Sequence, residues 1–107
     1  MLPCLDKSKH VGVGMVVLRI QPRILRKEYG AFLDLLLYDE EFPTTYDEWR
    51  ESAAQQREYY RARGQIVKDI TIHPREFANW CRATDVEPRT GQLIAFAVAK
   101  AHWKKEY

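Results

Sequence analysis

Tyr60-Arg-Ala-Arg-Gly-Gln-Ile-Val-Lys-Asp-Ile-Thr-Ile-His-Pro-Arg-Glu76 decides the fold, because the periodicity changes twice within it. Up to Arg63 the residues continue a helical rhythm, and Gly64 fits the left-handed cap that ends a helix. From Gln65 the period drops to two. Ile66, Lys68, Ile70 and Ile72 would share one face of a strand over 65–72, with Val67, Asp69 and Thr71 on the other. One mainly apolar face predicts a sheet covered on one side and disfavours a parallel sheet covered on both. Pro74 then suits the first position of a new helix, where an N–H would lack an internal partner anyway, and Glu76 sits at its positive end.

On the N-terminal side, Thr45-Tyr-Asp-Glu48 has the capping-box pattern, so a helix is predicted over 46–63. Tyr46, Trp49, Ala53, Gln56 and Tyr60 recur at helical spacing along one face of it. Asp39-Glu-Glu-Phe-Pro-Thr-Thr45 reads as a connection, with Phe42 as a candidate anchor and Pro43 as a break in regular pairing. Leu25, Tyr29, Phe32, Leu33, Leu36 and Leu37 predict a helix over 23–38, weakened at Gly30. The rival reading of its end is a short strand over Leu35–Tyr38. Further back, Val11-Gly-Val-Gly-Met-Val-Val-Leu-Arg-Ile20 is β-branched and predicts a strand over 11–20 that Pro22 ends. Residues 1–10 read as an irregular lead-in.

On the C-terminal side, Phe77, Trp80 and Cys81 share one side of a helix over 74–84. Pro88 initiates another over 89–104, where Leu93, Ile94, Phe96, Ala97, Val98 and Ala101 are apolar almost all round. Such a helix is either sandwiched or partly presented to a partner. The expected architecture is therefore α+β: a single domain over 11–107, with two short strands covered by four helices. Two strands alone are marginal, so helices or a second subunit must complete them. Their relative direction does not follow from the sequence.

The chain has 107 residues and a net charge of +2, which suits one core and gives no strong pull toward a charged partner. The charge is uneven: +3 over residues 1–38, −5 over 39–58 and +4 over 59–107. A basic face for nucleic acid could form only if Arg19, Arg23, Arg26 and Lys27 met Lys100, Lys104 and Lys105, with Trp103 or Tyr107 for base stacking. Cys4 and Cys81 make neither a disulfide framework nor a CxxC site. The apolar run Val11–Leu18 is too short to span a bilayer and lacks a cleavage signature, so a soluble, cytoplasmic chain with reduced thiols and no membrane partner is expected.

His73, Cys81 and His102 lack zinc-ligand spacing, and Cys81 beside Phe77 and Trp80 reads as a small buried hydrophobe. The acidic residues have ready roles as solvated or dipole-matching groups. Gly12 and Gly14 lack the lysine and hydroxyl residue of a phosphate loop. No cofactor, metal or catalytic residue is therefore expected. The favoured function is a non-catalytic protein-interaction or assembly module, through self-association or another protein. Phe96, Trp103 and Tyr107 are its candidate interaction residues. The alternatives are an accessory nucleic-acid-binding protein using the basic face and a small enzyme with a Cys/His site.

Overall fold

A computed structural model describes residues 17–105, with the side chains of 17–103. The elements run β1 (Leu18–Arg23), a 3-10 turn (Arg26–Glu28), α1 (Tyr29–Leu35), α2 (Tyr46–Arg61), β2 (Ile66–Thr71), α3 (Pro74–Thr84) and α4 (Thr90–Lys105). The class is α+β, with four helices beside one two-stranded sheet among the described residues. The expected lead-in over 1–10 and residues 11–16 of the expected first strand lie outside the described residues.

The strands are parallel, in register Leu18↔Ile66 through Arg23↔Thr71. Parallel neighbours need a long crossover, which the 3-10 turn, α1 and α2 supply. β1 does not stop before Pro22, as the sequence suggests, but runs through it. The ladder explains why. Ile66 N–H donates to Val17 O and Ile72 N–H donates to Arg23 O, both at 3.0 Å. Alternation along a parallel pair then turns the backbone of residues 17, 19, 21 and 23 toward β2 and that of Leu18, Ile20 and Pro22 away from it. The missing N–H of Pro22 therefore falls on the open edge, where it breaks no ladder bond.

The expectation of one covered face is also corrected: helices lie on both. Arg19, Gln21, Val67, Asp69 and Thr71 share the face toward α2. Arg57 binds Asp69 with two bonds of 2.8 Å, Gln21 Nε2 donates to Ala53 O at 2.9 Å, and the Arg19 guanidinium lies 4.7 Å from the Tyr60 ring centre. Polar strand residues thus accept a helix above them because that helix brings complementary groups. The opposite face is the apolar one. Pro22, Ile70 and Ile72 join Leu93, Phe96 and Ala97 of α4 and Phe77 and Cys81 of α3 in the buried interior, whereas Ile66, in the same apolar row, is exposed.

The predicted helix over 23–38 is shorter than expected. Arg23 completes β1, Leu25 is extended, and the chain enters α1 through the 3-10 turn. Tyr29, Phe32 and Leu36 are buried as the helical rhythm requires, but α1 stops at Leu35. Residues 36–38 form a turn instead of the rival strand, and Tyr38 is 92% exposed. Phe42 does anchor the acidic connection: it is buried and stacks on Tyr29 with ring centres 5.0 Å apart.

The helix ends follow their local chemistry. Thr45 Oγ1 accepts the Glu48 N–H at 3.1 Å, while the Glu48 carboxylate takes the Thr44 hydroxyl at 3.4 Å in place of the reciprocal bond. α2 ends at Arg61 with Ala62 as its cap, two residues short of the expected Arg63, and Gly64 follows at φ +78°. α3 begins at Pro74 as expected, and Glu76 Oε2 accepts the His73 N–H at 3.0 Å. It ends on Asp85 at φ 59°, with Val86 N–H returning to Cys81 O. Aspartate tolerates this left-handed region better than most residues, so the cap needs no glycine.

Candidate functional site

Since Arg19 lies over Tyr60 and Gln21 reaches Ala53, α2 runs back along β1, with its N-terminal end near Pro22. α2 and α4 flank the sheet on opposite faces, and between them the outer edge of β1 is open among the described residues. A groove of about 670 Å³ occupies that place. Its floor is Leu18–Pro22. One wall is α2, through Trp49, Ser52, Ala53, Gln56 and Tyr60; the other is α4, through Leu93, Ile94, Val98, Ala101 and His102. Glu41 and Pro43 close the end near the start of α2.

The floor carries a defined row of hydrogen-bonding groups: N–H and C=O of Leu18, N–H and C=O of Ile20, and C=O of Pro22. Among the described residues no strand pairs with this edge. The outer edge of β2 is differently placed. Thr71 O there takes the Lys100 ammonium at 2.7 Å, and the neighbouring Asp69 is ion-paired to Arg57. Charged residues and blocked carbonyls are the usual protection of a sheet edge. Among the described residues β1 has Pro22 as such protection, with Arg19 and Glu41 toward the ends of the groove and an apolar wall on its α4 side.

Those walls are partly uncovered. Leu18, Ile94 and Val98 are 51%, 53% and 38% exposed. Leu18 lies at the groove floor, and Ile94 and Val98 are one turn apart on α4. The α2 wall is more polar and includes Ser52 and Gln56. Gln21, 8% exposed, has its Oε1 buried without a hydrogen-bond partner among the described residues, and so does Thr90 Oγ1. An extended segment laid along β1 would meet apolar surface on its α4 side and hydrogen-bonding groups on its α2 side.

The candidate interaction residues from the sequence take different places. Phe96 is fully buried and meets the half-exposed Trp103 edge to face at 5.7 Å; Tyr107 lies outside the described residues. Of the basic-face residues, Arg19 bonds Gln65 Oε1 and covers Tyr60, Arg26 pairs with Asp47 at 2.9 Å and covers Tyr46, and Lys100 is held by Glu76 and Thr71 O. Arg23 and Lys27 are exposed, and the side chains of Lys104 and Lys105 lie outside the described ones. Three of the seven are thus engaged within the fold.

Cys81 is 2% exposed, and burial pushes its thiol above the ordinary value, the opposite of what a nucleophilic thiolate needs. His73 Nδ1 lies 2.8 Å from Glu28 Oε1, and His102 is exposed on the groove wall. Among the described residues no three His, Cys, Asp or Glu side chains converge as metal ligands. No described helix is long and apolar enough to cross a membrane.

Sequence reasoning identified the apolar last helix and the unfinished sheet, but not that they meet at one groove. The signal available for that was Pro22, which marks an edge once it is placed inside a strand. No protein-family model, curated protein or solved structure matches this chain.

Proposed function

We propose that the protein is a non-catalytic interaction module whose open β1 edge accepts an extended segment of chain between α2 and α4. In this mode the backbone of the incoming strand supplies affinity by bonding Leu18, Ile20 and Pro22 O, and alternate side chains supply selectivity. The α4 wall favours apolar residues at every second position; the α2 wall favours small or polar residues at the others. The observation that carries the reading is the edge left unpaired among the described residues, at the floor of a groove with an apolar α4 wall and a more polar α2 wall. The chain's aromatic residues are mostly committed to packing, so the edge and not an aromatic patch is its recognition element.

Selection of a random peptide library on the immobilised full chain tests this. The expected binders alternate apolar and polar residues, shift the Leu18 and Ile20 amide resonances, and are lost with Ile20→Pro. Binders that dock elsewhere, or none, would overturn it.

A further inference from the structure

We infer that the occupant of the groove is a second copy of this chain, with β1 pairing antiparallel to β1 of its partner about a two-fold axis through Ile20. The inference rests on the strand-acceptor reading and names its partner. The outward row of β1 is self-complementary about that residue. Each Ile20 N–H would donate to the other Ile20 C=O, and each Leu18 N–H would donate to the other Pro22 C=O. Four bonds form, and the missing donor of Pro22 forfeits only the outermost position on each side. The two antiparallel β1 strands would become the centre of a four-stranded sheet with a β2 strand on each side, which covers the open β1 edge of each copy.

Charge and surface support a copy over a lone peptide. Glu41 lies at the Pro22 end of the groove, and Arg19, over Tyr60, lies toward the Leu18 end. Antiparallel pairing sets the acidic end of each copy over the basic end of the other. α2 repeats this polarity more weakly: Asp47, Glu48 and Glu51 outweigh Arg50 in its first half, and Arg57 and Arg61 outweigh Glu58 in its second. The exposed pair Ile94 and Val98, continued by Ala101, is spaced like a helix-packing stripe. A copy brings a helix to that stripe; an isolated strand does not. The interface is isologous, so it closes at two subunits.

The test measures the mass of the full chain across a concentration series, with hydrogen exchange at the Leu18 and Ile20 amides. Support is a doubling of mass with slowed exchange at both amides in step. Ile20→Pro, whose N–H faces away from β2, and Val98→Glu should each raise the dissociation constant by about tenfold or more while circular dichroism stays native. A monomer with rapidly exchanging amides overturns the second copy and leaves the strand-acceptor reading to the peptide selection. A monomer with protected amides overturns it by placing a strand of the same chain on the edge. A dimer with rapidly exchanging amides overturns it by placing the interface elsewhere, and likewise leaves the strand-acceptor reading to the peptide selection.

Discussion

Asp39 Oδ2 accepts the Thr90 backbone N–H at 2.6 Å, so a carboxylate 51 positions earlier in the chain caps the N-terminus of α4. Its other oxygen takes the Glu41 N–H at 3.0 Å. One side chain thereby fixes both the acidic connection and the start of the helix that walls the groove.

The Thr90 and Glu41 amides hold the Asp39 carboxyl below its ordinary value of 3.8. A folded-state value below the unfolded one gives stability that is present above about pH 4 and is lost as pH falls through the lowered folded value. Asp39→Ala should cost about 1 kcal/mol near neutral pH, as loss of a helix cap does. Urea unfolding at neutral and acidic pH checks this: the gap between wild type and variant should narrow as the carboxyl is protonated.

Tyr29 responds at the other end of the scale. Its hydroxyl donates to Pro43 O at 2.6 Å, and burial, helped by the Glu48 charge, pushes it from 10.0 up to about 12. The protonated form is favoured in the fold, so this contribution is complete below pH 10 and disappears as pH rises through about 12. Tyr29→Phe should lower stability by roughly 1 kcal/mol at neutral pH. Its thermal midpoint should also fall less steeply than the wild type's on raising the pH through that window, and equal slopes would show that the hydroxyl is not the group responsible.

The strongest local signals in the sequence survive in the fold because one stretch of chain is enough to satisfy them. Thr45 caps α2, Gly64 takes a positive φ, Pro74 opens α3, and Ile70 and Ile72 are buried. The misread features depend on distant partners. Pro22 looks like a strand terminator until β2 is known to lie on its other side. Asp69 looks like a solvent-facing residue until Arg57 is placed above it. Asp39 looks like part of a solvated charge run until Thr90 arrives. The groove was legible only as two separate hints, an apolar helix and an incomplete sheet, because local periodicity says nothing about which edge faces which helix.

Cys81 supplies a chemical clock for opening of the core. It lies among Phe77, Leu93, Phe96 and Ala97 in the buried cluster, and its thiol is held in the neutral form by burial. In a Cys4→Ser background, alkylation of Cys81 should be limited by unfolding and should accelerate with urea in parallel with the loss of structure. Rapid alkylation under native conditions, without that dependence, would mean that the α3–α4 core admits solvent without global unfolding.

The tie between α3, α4 and β2 is the Lys100 ammonium, which donates to Glu76 Oε2 at 2.6 Å and to Thr71 O at 2.7 Å. Their side chains retain 17% and 30% exposure, so the pair is sheltered but not dry. Lys100→Met keeps the aliphatic stem and leaves Glu76 with the His73 N–H, which limits the cost to about 1–2 kcal/mol. Glu76→Gln alone should cost less, because an amide oxygen can still accept from both donors. If the two groups act as one unit, the double variant will be less destabilised than the sum of the singles, with a coupling of at least about 0.5 kcal/mol in a double-mutant cycle. Additive losses would show that Lys100 stabilises the fold through Thr71 O alone, leaving Glu76 to act only as the cap of α3.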